Sequence, residues 1–430
     1  MRILLTGSTG FIGGAIARAL LAQGHELVCP VRDPSRMPPA ARCIAVRTDF
    51  SQVPSADWWL PHLSEVDAVV NAVGILREGP GQTFESLHHL APAELFLACA
   101  QAGVRCVIQI SALGADAQAQ SRYHRSKRAA DEVLRGLPLR GAVVQPSLVF
   151  APQGASSALF MGLATAPVLL LPGGGRMPVQ PVHLDDVVAG VLGLLADPPP
   201  TVETIAFVGP RPVALREYLD ELRVQLGLGA PAFQGPMPSG LFLAAARVAG
   251  RIPGSSLDEE TAGMLLRGNA ASPERFTLLL GRSPRASERF LDRGEGEAMR
   301  AHAVLDWAAP ALRLALAFLW LWTAAVSFGL YPVHDSYALL ARVGLHGATA
   351  KVALYGAALL DLVLGLLTLT APVRWRWWIW PAQLALVAGY TLLITVFLPE
   401  QWLHPYGPIS KNLPIMAAIA LLWGLEPRRR

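Results

Sequence analysis

The chain has 430 residues, too many for one ordinary domain, and its 52% hydrophobic and 16% charged residues give a mean hydropathy of +0.38, apolar for a soluble enzyme. The net charge of +4 comes with no basic block before Arg428–Arg430 and no basic patch interleaved with aromatics, which excludes a nucleic-acid binder. The four cysteines, Cys29, Cys43, Cys99 and Cys106, lack metal-ligand spacing and read as free thiols of a reducing compartment, so no metal is expected.

Residues 1–228 alternate strand-like and helix-like segments, the pattern of a doubly wound parallel sheet. Strands are predicted at Ile3–Thr6, Glu26–Val31, Cys43–Arg47, Ala68–Asn71, Val104–Ile110, Gly141–Gln145 and Ile205–Val208, with helices such as Glu85–Gln101 and Tyr123–Arg135 between them. The first strand runs straight from Met1-Arg2, with no signal peptide before it, so the soluble part is expected to stay on the side of synthesis. It feeds Gly7-Ser8-Thr9-Gly10-Phe11-Ile12-Gly13, which opens a helix. Glycines at 7, 10 and 13 allow a tight turn, close approach of backbone to a pyrophosphate, and close helix–sheet packing. The helix N-terminus then offers N–H groups and a positive dipole end to a dinucleotide.

The second strand ends in Cys29-Pro-Val-Arg32, without the acid that binds the ribose 2′-hydroxyl of NAD. Arg32 can pair with a 2′-phosphate, which favours NADPH over NAD; the adjacent Asp33 argues the other way. Further on, Ser111 ends a strand, and Tyr123 and Lys127 stand at i and i+4 on one helix face. An ammonium beside a phenol favours phenolate, so Tyr123 is expected to exchange a proton with a substrate oxygen, Ser111 to bond that oxygen, and Lys127 to hold ribose hydroxyls. A solvated helix face is the alternative for such a pair. His183, Asp185 and Asp186 open a further helix, Leu184–Leu195, where an Asp N-cap is expected.

Residues 229–306 are rich in Pro, Gly and Arg, with amphipathic pieces at Leu241–Ala249 and Asp258–Leu266, and read as a small helical subdomain. From 307 on, apolar stretches at Leu314–Leu330, Val352–Ala371, Trp377–Leu398 and a shorter Leu413–Leu425 predict a four-helix transmembrane bundle. Trp320, Trp322, Trp375, Trp377, Trp378, Trp380, Trp402 and Trp423 are mostly near predicted span ends, as an aromatic belt would place them. Arg374, Arg376 and Arg428–Arg430 against Arg342, Lys351 and Lys411 favour cytoplasmic termini. Asp361 lies mid-span, where a carboxyl is expensive; it is either functional or a protonated structural group. The segment from Trp402 to Pro414 is dense in polar and aromatic groups.

Together the glycine loop and the Ser–Tyr–Lys set resemble the short-chain dehydrogenase/reductase superfamily. The phrases Asn71-Ala72-Val73-Gly74, Ile110-Ser-Ala-Leu-Gly114, Tyr123–Lys127, Gln145-Pro146-Ser147-Leu-Val-Phe150 and Gly173-Gly-Gly-Arg176 running into Pro181–Asp186 resemble its atypical branch. That branch contains the Rossmann-like accessory subunit of mitochondrial complex I. The resemblance covers roughly residues 1–295 and implies dinucleotide contacts at the glycine loop, at Asp49 near the adenine, at Asn71–Gly74, and at Pro146–Ser147 near the nicotinamide. It leaves the reaction open, since the branch holds both active enzymes and members that only bind NADPH. The last part resembles the DoxX-like membrane family on Asp361, His404-Pro-Tyr-Gly-Pro408 and Lys411-Asn412, some relatives of which are linked with quinones. The expected fold is therefore α/β: a Rossmann-type doubly wound sheet, a small helical subdomain and a transmembrane bundle. Three functions stay open: a membrane-anchored NAD(P)H-dependent oxidoreductase acting on a lipophilic or quinone-like substrate, a non-catalytic NADPH-binding module docking membrane protein partners, and an epimerase or dehydratase.

Overall fold

The computed structural model describes residues 1–36, 42–229, 232–251 and 257–426, in two compact units, Met1–Val304 and Leu305–Arg430. In the first unit the principal strands are β1 (Arg2–Thr6), β2 (Glu26–Val31), β3 (Cys43–Arg47), β4 (Ala68–Asn71), β5 (Cys106–Ile110) and β6 (Gly141–Pro146). Shorter or later strands are β7 (Val149–Phe150), β8 (Val168–Pro172), β9 (Pro178–Val179), β10 (Val182–His183), β11 (Val202–Phe207), β12 (Val213–Ala214) and β13 (Phe233–Met237). Seven strands form one sheet in the order β11-β6-β5-β4-β1-β2-β3, and every neighbouring pair in it is parallel. All seven predicted strands are members of this sheet.

Both faces of the sheet are covered, which is why its inner strands are unbroken apolar runs. Helices α1 (Phe11–Ala22) and α6 (Leu184–Ala196) bury Ile16, Leu20, Val187 and Leu194 against Ile3 and Leu5 on one face. On the other face α3 (Ala91–Ala102) and α4 (Arg122–Arg135) bury Leu95, Phe96, Ala130 and Leu134 against Leu4 and Val107. Alternate β1 residues thus face opposite layers, as strand geometry requires. The single helix predicted from Glu85 instead begins with a wider π-helical turn, Glu85–Leu90, and becomes α-helical at Ala91. The remaining helices are α2 (Ala56–Trp59), α5 (Ala155–Thr165), α7 (Leu215–Gln225), α8 (Ser239–Ala249), α9 (Glu259–Arg267) and α10 (Glu274–Leu280). Helix α9 starts on a capping box in which Asp258 and Thr261 satisfy each other's backbone N–H groups. Helices α8, α9 and α10, which come from the stretch expected to be a separate subdomain, lie within the first unit.

In the second unit, α11 (Arg293–Ala325), which enters it from the first, is followed by α12 (Val333–Arg342), α13 (Gly347–Thr370), α14 (Val373–Phe397) and α15 (Asn412–Leu425). Among the described residues, three helical stretches have the length and apolarity to cross a membrane: Arg293–Leu330, Gly347–Thr370 and Val373–Phe397. The fourth expected span, α15, has 14 residues, which at 1.5 Å per residue is about 21 Å, short of a core of about 30 Å. Trp320 and Trp380 are buried, because each indole N–H finds a partner inside: Gln383 Oε1 at 2.9 Å and Glu426 Oε1 at 3.3 Å. Glu426 also pairs with Arg313 at 2.6 Å, and Gln383 donates to Thr368 Oγ1 at 2.8 Å. Asp361 is buried, and its Oδ1 has no hydrogen-bond partner among the described residues. Arg428–Arg430, used in the orientation argument, lie outside the described residues.

Candidate functional site

Sheet order decides where a ligand can sit. Strand β1 lies between β2 and β4, so the chain leaves the sheet centre in both directions. The crevice outside the C-terminal ends of β1 and β4 is therefore the topological switch point. Residues Gly7–Gly13 follow β1 there, and Asn71–Gly74 end and follow β4. Thr6 Oγ1 donates to Asn71 Oδ1 at 2.5 Å and accepts from Ala72 N at 3.1 Å, while Asn71 Nδ2 donates to Gln109 Oε1 at 2.6 Å. This buried chain fixes the ends of three strands against one another.

Two glycines of the loop are required by geometry. Gly7 has φ +66°, and a Cβ there would lie 2.6 Å from the Ala72 carbonyl carbon. A Cβ on Gly13 would lie 2.7 Å from the Gly7 carbonyl carbon. The first turn of α1 carries no side-chain cap on its N-cap residue, Gly10, so its N–H groups are offered to whatever sits in the crevice. Thr9, Gly10 and Phe11 are exposed at that point, Ile12 is half-buried, and Ser8 and Gly13 are buried beneath. A tight backbone cradle with an uncapped helix start fits a pyrophosphate.

Arg32 and Asp49 stand apart from this centre, exposed beyond β2 and β3. Asp33 is engaged locally, its Oδ1 accepting from Ser35 N at 3.0 Å and Ser35 Oγ at 2.6 Å. Asp49 makes the same turn with Ser51, at 3.0 and 2.8 Å. At the far side Pro146 ends β6 and its carbonyl accepts from Leu113 N at 2.9 Å, while Ser147 Oγ donates to the Gln180 carbonyl at 2.5 Å.

Helix α4 carries Tyr123 and Lys127, the pair expected to exchange protons. Its N-cap Ser121 accepts from His124 N at 3.0 Å, and Glu260 of α9 accepts from Tyr123 N at 2.8 Å. Lys127 is buried and donates to the carbonyls of Val73 and Ile110 at 3.0 and 3.1 Å, bridging the ends of β4 and β5. Its Nζ lies 3.2 Å from where a Cβ on Gly74 would stand, so Gly74 leaves room for the ammonium. Ser111 Oγ donates to Asp131 Oδ2 at 2.5 Å. Tyr123, Lys127 and Asp131 follow one another at intervals of four, a single stripe on α4.

One expectation is overturned here. The ammonium was expected to favour phenolate, yet burial and then the Asp131 carboxylate push the Tyr123 phenol up to about 12. Burial also lowers Lys127 to about 8 against the pull of Asp131, and raises Asp131 to about 6 despite Ser111 and Lys127. For Lys127 and Asp131 desolvation outweighs pairing, whereas for Tyr123 burial and the Asp131 charge act in the same direction. A second correction concerns the turn before α6. Its N-cap is His183, whose Nδ1 accepts from Asp185 N at 3.2 Å, and not an Asp; Asp186 is buried and holds Arg282 and the Arg285 backbone N–H.

Sequence reading missed three residues. His88 is buried, its Nε2 accepts from Ile75 N at 2.9 Å and its Nδ1 meets Ser126 Oγ at 3.0 Å. An accepting Nε2 places the proton on Nδ1, and Ser126 passes its own to the Tyr123 carbonyl at 2.8 Å. Burial and the Lys127 charge lower His88 to about 2, so it stays neutral. Its ring meets that of Tyr123 edge-on at 5.3 Å, with Phe84 at 5.9 Å on the same phenol. Asp131 had a signal in the four-residue repeat after Tyr123 and Lys127. Glu260 had none.

Residues 7–156 match the NAD(P)H-binding family and residues 317–420 the DoxX-like family. A mitochondrial NADH dehydrogenase [ubiquinone] 1 alpha subcomplex subunit 9 from Arabidopsis thaliana is 29% identical over 201 residues, 44% of this chain and 49% of that protein. A ceramide reductase from Caulobacter vibrioides is 25% identical over 204 residues, 46% of this chain and 61% of that protein. The chain thus spans about half the length of the curated relatives it matches. Among solved structures, a nucleoside-diphosphate-sugar epimerase from Staphylococcus aureus aligns over 67% of this chain and 99% of its own at TM-score 0.55 and 17% identity. The Bordetella bronchiseptica enzyme WbmG, solved with NAD and UDP, covers 71% of this chain and 96% of its own at TM-score 0.52 and 14% identity. The first unit is an NAD(P)-binding domain of Rossmann-like fold. More particularly, it is related to complex I subunit 9 proteins, and the chain joins it to a DoxX-like membrane domain.

Proposed function

We propose that the protein is a membrane-anchored NAD(P)H-dependent reductase of a lipophilic carbonyl compound, with Tyr123 as the proton donor. The observation that carries this reading is the stripe Tyr123–Lys127–Asp131, with Lys127 lodged between the carbonyls of Val73 and Ile110 beside the dinucleotide crevice. A phenol held at about 12 is protonated at neutral pH, which suits it to donate rather than abstract. The bound dinucleotide supplies the hydride. Tyr123 Oη gives its proton to the substrate oxygen, and Lys127, which titrates near 8, can return one to it. Asp131 orients the Ser111 hydroxyl. Gly7–Gly13 hold the pyrophosphate, Asn71–Gly74 and Pro146–Ser147 flank the nicotinamide half, Asp49 lies toward the adenine, and Arg32 pairs with the 2′-phosphate of NADPH. The local engagement of Asp33 by Ser35 supports that last choice over NAD.

Substrate class is argued from setting. Three helices of crossing length among the described residues support a bilayer setting, and one relative is named for reducing a ceramide. A quinone-like substrate fits the same setting. We read the membrane as the cytoplasmic one, with the first unit on the cytoplasmic side. The decisive experiment compares wild type and Tyr123→Phe for NADPH oxidation in liposomes with ceramide-type ketones and quinones. Loss of turnover in the variant with its dinucleotide still bound is the expected result; wild-type turnover in the variant rejects Tyr123 as donor.

A second reading is favoured by one bond. Ser111 spends its hydroxyl proton on Asp131, a bond that leaves it no proton to give a substrate oxygen. Together with relatedness to complex I subunits, this supports an NADPH-binding module that docks membrane protein partners. A tightly copurifying dinucleotide that no lipid or quinone oxidises would select it. The epimerase or dehydratase reading is supported by likeness of fold alone.

A further inference from the structure

Helix α8 is built unlike the other helices of the first unit. Leu241, Ala244, Ala245 and Val248 occupy positions i, i+3, i+4 and i+7, the spacing of a core-facing stripe. All four are exposed, Leu241 and Val248 by 59% and 60%, and only Ala246 of the helix is fully buried. Strand β13, which leads into α8, leaves Phe233 68% exposed, paired in register with Val168 at 56%. The packed side of α8 belongs to α9, where Arg247 Nε donates to Glu259 at 2.8 Å. The stripe is thus an apolar face that the described residues do not cover.

We propose that α8 lies in the interface of the lipid bilayer, its Leu241–Val248 stripe among the upper acyl chains. The same chain carries helices of crossing length, with Leu305 following Val304 directly, so the first unit is tethered to any bilayer that those helices enter and meets its surface at high effective concentration. An apolar helix of 11 residues is too short to cross and long enough to lie flat. Arg251, exposed just past its end, supplies a cation of the kind that meets lipid phosphate. Helix α9, the partner of α8, holds Tyr123 through Glu260, so lipid contact at α8 reaches the mouth of the site. That a substrate enters there rests on the reductase reading; the lipid contact does not.

The test uses the full chain in phosphatidylcholine–phosphatidylglycerol liposomes doped with a phosphatidylcholine bearing a diazirine on its acyl chain. After photolysis, peptide mapping should find adducts on 239–249 severalfold above those on the α10 peptide, whose Leu278 is an equally naked apolar side chain at 73% exposure. Leu241→Glu/Val248→Glu should lose the α8 adducts while α13 and α14 keep theirs and bound dinucleotide is retained. If that variant does not fold, the wild-type map alone decides. Adducts on α13 and α14 with α8 no more labelled than α10 overturn the proposal. So does a Val248→Cys chain that forms a disulfide with a second copy, since α8 then covers itself. Adducts on α8 in a wild-type protein that oxidises NADPH with no ketone or quinone tested would reject the reductase reading and leave the lipid contact standing.

Discussion

At the scale of single residues, Asp131 governs its neighbours. Its carboxylate raises both the Tyr123 phenol and the Lys127 ammonium. Asp131→Asn keeps an acceptor for Ser111 while removing the charge, so both groups should titrate lower. A pH–rate profile of the proposed reductase activity should show its alkaline limb move to lower pH; an unmoved limb would detach Asp131 from the proposed chemistry. Arg32→Ala should weaken NADPH by roughly 10–100-fold, the worth of a charge-assisted pair, and leave NADH nearly unchanged in fluorescence titration. Equal losses would dismiss the 2′-phosphate contact. Gly7→Ala pushes a methyl into the Ala72 carbonyl at positive φ, and the purified variant should carry no dinucleotide. Of these residues, Gly7, Arg32, Ser111, Tyr123 and Lys127 stand out in the sequence because loop spacing and helical periodicity are local signals. His88 does not, since its role depends on a backbone N–H at Ile75 and a hydroxyl at Ser126, 13 and 38 residues away.

At the scale of elements, the seven strands are readable because double coverage makes them continuous apolar runs. Helix contacts are less so. Helix α9 is held on α4 by Glu260 on Tyr123 N, on the loop before α4 by Arg267–Asp116 at 2.7 Å, and its N-cap on the loop after β4 by Arg77–Asp258 at 2.7 Å. No pattern in either segment announces a partner more than a hundred residues off. Glu260→Ala removes a carboxylate from a helix N-terminus, an effect of about 0.3–1 kcal/mol. It should lower kcat through looser placement of Tyr123 while the dinucleotide Kd stays as it was; Glu260→Gln, still an acceptor, should recover most of the loss. The helix predicted from Glu85 shows the opposite difficulty. Its existence is legible from periodicity, but the wide first turn that aims His88 is not.

For the molecule as a whole, the buried pair makes stability depend on pH in two windows. Asp131 titrates at about 6 in the fold against an ordinary 3.8, so between those values the native state binds more protons and stability falls as pH rises. Lys127 titrates at about 8 against 10.5, so between those values the unfolded chain binds more and stability rises with pH. Calorimetry of the full chain should place the first unit's weakest point between pH 6 and 8, and Asp131→Asn should abolish the acid-side slope. A flat profile would mean that these groups are solvated. The two-part organisation is legible from the distribution of apolar residues alone, whereas the number of crossings is not, because α15 is apolar enough but short.

The bond from Tyr123 N to Glu260 joins residues 137 apart. Synthesis at 5–20 residues per second puts about 7–27 s between them. Throughout that interval the nascent α4 lacks its downstream partner, and Tyr123 is not yet held. The Tyr123 contact therefore forms late, just ahead of the synthesis of the long apolar helices. Order of birth, as much as final geometry, separates the completion of the first unit from the arrival of the second.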